Sequence, residues 1–308
     1  MSQSRTEVAR QSGPEPEGGA AFRSSIGARR GLDRVFTALL VVATLVGLVV
    51  LAILLLDVAT KGIPQIDWSF IINFPSVIPE NAGILPALVG TLWLLAITAL
   101  VSMLLGVGAA IYLEEYAPDN WLTRLIDVNI SNLAGVPSIV YGLLALGVFV
   151  QMLGGLTGGR SLLSGSLALS LLILPVIIIA TREALRTIPE TVREGGYALG
   201  ATRWEVIRGH LLPMALPGAL TGIILALSRA IGETAPLIVV GAAAYVSFTP
   251  DGPRDRFTAM PIIIFSWIRQ SQPEYELLAA GGIVVLMAVL LMTNSVAIWL
   301  RNRYQRRV

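Results

Sequence analysis

Residues 187–237 read TIPETVREGGYALGATRWEVIRGHLLPMALPGALTGIILALSRAIGETAPL and contain two unlike halves. The first half is polar, rich in arginine and patterned as two short helices separated by Gly200. The second half is apolar but carries Arg229 and Glu233, and charged residues inside a membrane span are rare and usually functional. A polar pair of helices that leads into such a span predicts a transport protein driven by something outside this chain.

The composition of the whole chain also indicates a membrane protein. Hydrophobic residues make up 55% of the 308 residues and charged residues 14%, whereas about 25% charged residues are usual in a soluble domain. The formal net charge is only +2, which argues against nucleic-acid binding. The sequence has no cysteine and one histidine, His210, which excludes disulfides, a cysteine nucleophile and a multi-histidine metal site.

Six mainly apolar stretches are long enough to cross a hydrocarbon layer of about 30 Å, and five of them carry no charged residue. The first, residues 35–56, is longer than the apolar part of a cleaved signal peptide, about 7–15 residues, and favours an uncleaved span. The others are residues 81–113, 128–159, 161–181, the segment after Pro213, and residues 277–300. We therefore predict an all-α polytopic membrane protein with six transmembrane helices.

These stretches divide the chain into consecutive parts. We predict a disordered cytoplasmic tail (1–34), a first transmembrane helix (35–56), an extracytoplasmic segment (57–84), a core with five transmembrane helices (85–300) and a C-terminal tail (301–308). The segment after the first span contains Trp68, Phe70 and Phe74. It is either an interfacial segment anchored by these rings or a docking surface for an outside partner.

The distribution of basic residues predicts the orientation. With six spans, sixteen of the 22 Lys and Arg residues fall on the side of the N-terminus and five on the other side, while Arg229 lies within a span. The positive-inside rule therefore places both termini in the cytoplasm. It also places residues 187–213 there.

Those residues have the pattern of a helical pair. Thr187 with Glu190, and Thr202 with Glu205, have capping-box spacing, which predicts one helix through Leu199 and a second helix that ends at Pro213. Two adjacent glycines, 195 and 196, lie within the first helix, where each costs up to about 1 kcal/mol relative to alanine. That cost suggests that something approaches the backbone closely; the alternative is a plain amphipathic helix.

A resemblance to a known family becomes specific here. The residues Glu194-Gly195-Gly196-x₃-Gly200, followed by Leu212-Pro213, resemble the EAA loop of ABC-importer permeases, E-A-A-x₃-G-x₉-I-x-L-P. The departures are the two glycines in place of alanines and His210 in place of isoleucine. The resemblance implies a type I ABC-importer permease fold. It also implies an ATPase-coupling role, by docking into a cleft of the ATPase, for Glu194, Gly195, Gly196, Ala198, Leu199 and Gly200.

Further blocks resemble one branch of this family, the PstA phosphate permeases, and the similarity extends over about residues 35–308. They include GILP (83–86), IYLEEYAP (111–118), NLAGVPSIVYGLL (132–144), SRAIGETAPL (228–237) and MPIIIFSWI (260–268). The resemblance implies inorganic phosphate as the substrate. It also implies a PstC-like permease, a PstB-like ATPase dimer and a PstS-like phosphate-binding protein as partners.

ATP and magnesium are expected on the partner ATPase. A Walker A loop requires G-x-x-x-x-G-K-[ST], and the only lysine of this chain, Lys61, is followed by glycine. A permease for another oxyanion and a secondary transporter remain alternative functions. A secondary transporter requires inverted repeats and a coupling-ion site, and a membrane enzyme requires a catalytic cluster; neither pattern is evident.

The charges within the span after Pro213 are candidates for the translocation pathway. Arg229 and Glu233 are four residues apart and so share one helix face. A guanidinium offers planar, bidentate hydrogen bonds to phosphate, which favours a pathway role for Arg229 with Glu233 as its partner or as a relay. The alternative is an ion pair that locks two helices.

The other polar residues have simpler interpretations. Glu114 and Glu115 are predicted to be solvated rather than catalytic, and His210 to be structural. Residues 181–183 are predicted to have a packing or interface role, with substrate contact as the alternative.

Overall fold

The computed structural model describes the backbone of residues 26–305 and the side chains of residues 33–303 except residue 300. Within this range the regular structure is helical. The α-helices are α1 (Ile26–Gly62), α2 (Trp68–Ile72), α3 (Leu85–Ile111), α4 (Trp121–Leu133), α5 (Ser138–Ala145), α6 (Gly154–Thr157), α7 (Leu162–Arg186), α8 (Glu190–Ala198), α9 (Arg203–Val206), α10 (Leu212–Ile231), α11 (Ala235–Val240), α12 (Met260–Ile268) and α13 (Pro273–Gln305). Three π turns, Tyr112–Tyr116, Leu146–Met152 and Ile207–Leu211, continue α3 and α5 and join α9 to α10.

The chain forms two units, Met1–Leu54 and Leu55–Val308. The described part of the first unit is the start of α1, whose side chains from residue 33 to residue 54 are all exposed. Helix α1 includes residues 26–34, for which the sequence predicted a disordered tail. Extending an existing helix adds a hydrogen bond for each residue fixed, so polar residues can continue an apolar helix. Residues 1–25 of the predicted tail lie outside the described residues.

The second unit is built around α7. This helix packs against α3, α10, α5 and α11. About two thirds of the residues in its most apolar part are buried. A hydrogen bond from Thr98 Oγ1 of α3 to the carbonyl oxygen of Ser166 (3.2 Å) joins two of these helices. Such bonds are favourable in a membrane because lipid offers a buried hydroxyl no other partner.

Small residues allow α7 and α10 to approach closely. A Cβ atom at Gly218 of α10 would lie 2.9 Å from the Ala184 Cβ of α7, and one at Gly222 would collide with Ala180. Seven other glycines in the predicted spans also predict close packing, because small residues let membrane helices approach one another; they are at positions 83, 90, 106, 108, 135, 142 and 147. Positions 83, 90, 106 and 142 confirm this, because an added Cβ would collide with a neighbour, whereas positions 108, 135 and 147 have no such contact.

Replacing Gly222 with leucine is expected to separate α7 from α10. Overpacking of a close contact costs about 1–3 kcal/mol, so less folded protein should be recovered. Size-exclusion chromatography of the solubilised chain measures this, with Gly108→Leu as the control because nothing lies within 4 Å of that position. Equal recovery of both variants would contradict the close contact.

The sequence predicts one span at 128–159, kinked at Pro137, and this is wrong as a single helix. The chain instead forms α4 and then α5 with its π turn, and the two segments are bent by 108°. Pro137, the residue before α5, lacks a backbone N–H, and proline disfavours helical geometry in the residue before it. Pro175, by contrast, lies within the uninterrupted α7.

The described chain therefore has five helices long and apolar enough to cross a membrane, or up to six if the bent pair is one span. The five are Asp33–Gln65, Leu85–Tyr116, Leu162–Arg186, Arg203–Ile231 and Pro273–Arg303. The last helix continues to Gln305, so residues 301–305 of the predicted C-terminal tail are helical. Residues 306–308 lie outside the described range.

Candidate functional site

The α8–α9 segment (residues 187–213) confirms one of the two predicted capping boxes. Thr202 N donates to Glu205 Oε2 (2.7 Å) and Glu205 N donates to Thr202 Oγ1 (3.4 Å) at the start of α9. The capping box predicted at residues 187 and 190 is wrong. Thr187 directly follows α7, and its hydroxyl donates to the Ala184 carbonyl oxygen (2.8 Å). Pro189 is the residue before α8 and makes no side-chain cap.

The predicted end of the second helix is also wrong. From α9 the chain continues through the π turn into α10, and Pro213 is the second residue of α10. A π turn replaces the usual α-helical hydrogen bonds over one turn. The π turn comes directly before the helical turn that contains Pro213, which has no backbone N–H to donate. The chain therefore remains helical across the proline. The α8–α9 segment is therefore continuous with a candidate membrane span.

The two glycines of α8 have different surroundings. A Cβ at Gly196 would lie 2.6 Å from Val206 Cγ2, so this glycine allows α8 to pack on α9 within the same chain. No atom lies within 4 Å of a Cβ placed at Gly195. The sequence interpretation gave both positions one role, but only Gly195 is open to another molecule. Gly200 has a φ of +83°, which ends α8 in a left-handed turn.

The end of the α8–α9 segment is open and partly apolar. Leu199 is 90% exposed and Trp204 53% exposed. Four of the six residues assigned to coupling by the sequence resemblance are exposed with Leu199: Glu194, Gly195, Ala198 and Gly200. Gly196 alone of the six is buried. Exposed apolar side chains beside a left-handed turn provide a surface on which a partner can pack.

Buried ion pairs lie behind this surface and correct the interpretation of Glu114 and Glu115. Both belong to the π turn that follows α3, and their side chains are only 16% and 5% exposed. Arg193 Nη2 of α8 donates to Glu115 Oε1 at 2.7 Å. Removing one member of a buried pair typically costs roughly 3–5 kcal/mol because the other charge is left unpaired. These carboxylates are structural partners rather than solvated groups.

Glu114 forms the second half of the cluster. Its two oxygens accept hydrogen bonds from Arg182 Nε (3.0 Å) and Arg186 Nε (2.8 Å) of α7. Arg182 also pairs with Asp127 of α4, with its Nη2 lying 3.2 Å from Asp127 Oδ2. Arg182 therefore stabilises the packing of these helices through ion pairs. The sequence signal was available: Arg182 and Arg186 are one helical turn apart, facing acids that directly follow an apolar span.

Arg193 makes the largest number of these contacts. It also donates to the carbonyl oxygens of Leu185 (3.3 Å) and Ile188 (3.1 Å) and to Glu190 Oε2 (3.2 Å). Its hydrogen bond to Glu115 raises the pKa of the guanidinium above its ordinary value, against the opposing effect of burial. The charge of Arg193 is therefore permanent, and it fixes the start of α8 to the end of α3. A polar cleft of about 580 Å³ beside it is lined by Glu114, Glu115, Arg186, Thr187, Ile188, Pro189, Glu190, Arg193, Tyr197 and Arg203.

The second candidate site lies where α10 ends. Gly232 and Pro236 lie close to Arg229 and Glu233 in the sequence and predict a break in the helix there. The break is confirmed, because α10 ends at Ile231 and α11 begins at Ala235 with proline in its first turn. Arg229 Nε lies 3.2 Å from Glu233 Oε1, and the side chains are 47% and 18% exposed. Among the residues with described side chains, neither Arg229 nor Glu233 forms another ion pair. The pair therefore connects α10 to its own linker and does not join two distant helices.

The remaining candidate residues are placed as follows. Thr181 lies on α7 and is buried, with 1% of its surface exposed. His210 lies on the π turn before α10 and is exposed. In the segment after α1, Phe70 is buried and Trp68 is 74% exposed. Asp67 accepts a hydrogen bond from Phe70 N (2.6 Å), which lowers the pKa of its carboxyl. One aromatic ring thus fixes this segment to the core while another faces outward.

Comparison with known proteins places these features in a family. The family described as "Binding-protein-dependent transport system inner membrane component" matches residues 102–308. The chain is 32% identical to the probable ABC transporter permease protein YqgI of Bacillus subtilis, over 88% of this chain and 93% of that protein. It is 35% identical to the phosphate transport system permease protein PstA of Mycobacterium leprae, over 87% of this chain and 86% of that protein.

A solved structure shares the fold. The matching chain of a bacterial alginate ABC transporter gives a TM-score of 0.64 at 16% identity, covering 89% of this chain and 97% of that chain. The family match includes the π turn after α3, the ion-pair cluster, the α8–α9 segment and the Arg229–Glu233 pair. The chain is a member of the binding-protein-dependent transport system inner membrane component family, the permeases of ABC transporters.

Proposed function

We propose that this chain is the permease subunit of an ATP-driven importer that moves inorganic phosphate across the cytoplasmic membrane. The observation that carries the proposal is the open end of the α8–α9 segment, where Leu199, Trp204 and the unobstructed Gly195 are presented beside candidate membrane spans. Such a surface suits docking to an ATPase. The residues assigned to coupling are Glu194, Gly195, Ala198, Leu199 and Gly200, with Gly196 supporting them from within.

Phosphate is the proposed substrate for two reasons. The relative from Mycobacterium leprae and one from Mycobacterium tuberculosis, 31% identical over 95% of this chain, are phosphate transport system permeases by name. Arg229 also presents a guanidinium, 47% exposed, at a break between two helices. A guanidinium binds a tetrahedral oxyanion through paired hydrogen bonds, and Glu233 keeps the site near neutrality so that the anion can leave.

The complete importer needs further subunits. We assign ATP and magnesium to a PstB-like ATPase dimer, the second half of the pore to a PstC-like permease, and delivery of phosphate to a PstS-like binding protein. A permease for another oxyanion is the principal alternative, because a guanidinium also binds sulfate or molybdate. The ATPase-docking surface would have no use in a secondary transporter.

The substrate is tested by uptake in cells that lack this chain and then regain it. Labelled phosphate should enter only when the chain is restored. A roughly tenfold excess of sulfate or molybdate would displace most of the phosphate from a site of equal affinity, and it should instead leave the rate unchanged. Inhibition by either anion would assign the chain to that oxyanion instead.

The orientation gives a separate prediction. Single cysteines can be placed without background because the chain has no cysteine. With both termini inside, Thr191→Cys on α8 should react with a membrane-impermeant maleimide only after permeabilisation, whereas Val77→Cys, at a residue 80% exposed, should react in intact cells. The reverse pattern would overturn the proposed orientation.

A further inference from the structure

The π turn that follows α3 is attached to helices on two sides. Glu114 accepts hydrogen bonds from Arg182 and Arg186 of α7, and Arg182 extends the connection to Asp127 of α4. The next residue, Glu115, accepts its side-chain hydrogen bonds from Arg193 of α8. Consecutive carboxylates therefore connect the candidate membrane helices on one side and the α8–α9 segment on the other.

A second contact joins the same turn to α9. Arg203 Nη1 donates to the backbone carbonyl oxygen of Glu115 at 3.0 Å. The Arg203 guanidinium also lies 5.5 Å from the centre of the Tyr116 ring, a distance at which a cation is attracted to an aromatic face. Both helices of the segment are thus attached to five residues at the end of α3.

Burial makes the connection through Glu115 firm. The Glu115 and Arg193 side chains are 5% and 11% exposed, whereas those of the nearby pair Asp119 and Arg124 are 84% and 73% exposed. Water competes strongly for an exposed pair, and its two long side chains separate readily. A buried pair has no such replacement partner when its members move apart.

An apolar cluster, in which Val206 and Ile207 pack with Leu185 of α7, also holds the α8–α9 segment. The side-chain hydrogen bonds that join α8 to the end of α3, however, all come from Arg193. Helix α8 has nine residues and is followed by the left-handed turn at Gly200. Leu199 lies directly after α8. A force applied there would turn α8 relative to α3 unless a second contact, such as the one at Arg193, held the two together. Rigid elements joined by salt bridges carry movement between distant sites.

We propose that Glu115 and Arg193 are positioning residues that transmit movement of the α8–α9 segment to α3, α4 and α7 during ATP-driven transport. The pair makes α8 and the π turn move as one body, and Glu114 carries that movement on to α7. The inference rests on the proposed function only in requiring an ATPase docked on the segment. It does not depend on the identity of the substrate.

Distance measurements test the transmission directly. Spin labels at Thr191→Cys on α8 and Leu104→Cys on α3 occupy exposed positions outside the cluster. In the assembled importer, the wild-type distance distribution between the two labels should stay unchanged when ATP binds to a hydrolysis-deficient ATPase. With Glu115→Gln, α8 should move without α3, so the distribution should shift or broaden only when ATP is present.

Transport provides the second readout. Glu115→Gln should leave the ATPase bound but lower the substrate transported for each ATP hydrolysed by about tenfold, within the usual range of coupling between two sites. Asp119→Asn is the matched control. Asp119 lies four residues after Glu115 and belongs to an exposed ion pair with Arg124, so removing its charge should leave the wild-type ratio of transport to ATP hydrolysis. If Glu115→Gln does not assemble, Arg193→Lys keeps the charge, loses the planar fork and should show the same two effects.

The two possible failures differ. An assembled Glu115→Gln or Arg193→Lys variant with wild-type distances and a wild-type transport ratio would overturn the transmission role and leave a purely structural pair. Because the distance measurement needs ATP but no transported anion, it remains valid if the substrate is another oxyanion. A failure of the phosphate assignment would instead appear in the uptake competition, with the distances behaving as expected.

Discussion

Gly195→Trp is expected to lower about tenfold the ATP hydrolysis that a loaded binding protein stimulates in the assembled importer. The position is open in this chain, since no atom lies within 4 Å of an added Cβ, so the indole should not disturb α8 itself. It would instead occupy the space between α8 and the docked ATPase. The few residues near the centre of an interface that dominate binding each contribute more than about 1 kcal/mol, and about 1.4 kcal/mol corresponds to a tenfold loss of binding.

The measurement is ATP hydrolysis by the reconstituted complex, with and without the loaded binding protein. Gly209→Trp is the matched control, because Gly209 is also exposed and has no neighbour within 4 Å of an added Cβ, but lies on the π turn before α10. It should retain stimulation. Gly196→Trp should fail differently, by displacing Val206 and lowering the amount of folded chain. Full stimulation with tryptophan at Gly195 would mean that the ATPase docks elsewhere.

The contrast between the two glycines shows where sequence reasoning ended. The helical cost of glycine correctly predicted a close approach at α8, but the one-dimensional pattern carries no information on which neighbour approaches. The neighbour at Gly196 is Val206, ten residues later in the same chain. Hydrophobic length likewise predicted the helical membrane class, because that depends on local composition.

Features that depend on contacts distant in sequence were missed. Glu114 and Glu115 were interpreted as solvated because they end an apolar stretch, and their burial depends on arginines some 70 residues later. The bend before α5 was missed for another reason: Pro137 was treated as a kink within one span, whereas the chain leaves helical geometry before it. The break after Ile231 was predicted, because Gly232 and Pro236 act locally.

Arg229→Gln is expected to leave the importer assembled and to slow phosphate uptake per complex by roughly 10–100-fold. Hydrogen bonds to a charged group contribute about 1.5–3 kcal/mol, and the amide loses both the charge and the planar fork. Uptake is measured per complex in membranes from which the partner subunits co-purify. Arg124→Gln is the matched control, since it makes the same substitution in a pair whose side chains are 73% and 84% exposed.

Glu233→Gln and the double variant decide between the two roles of this pair. Glu233→Gln leaves Arg229 without its carboxylate at 3.2 Å, so phosphate should be held longer and uptake should also fall. If the pair only stabilised the fold, each single variant would lower the amount of assembled complex. The double variant would then restore it, because no charge is left unpaired. For a pathway role, the double variant should assemble fully and still transport slowly, because the anion has lost its guanidinium. Wild-type uptake per complex in the double variant would exclude a transport role for Arg229 and Glu233.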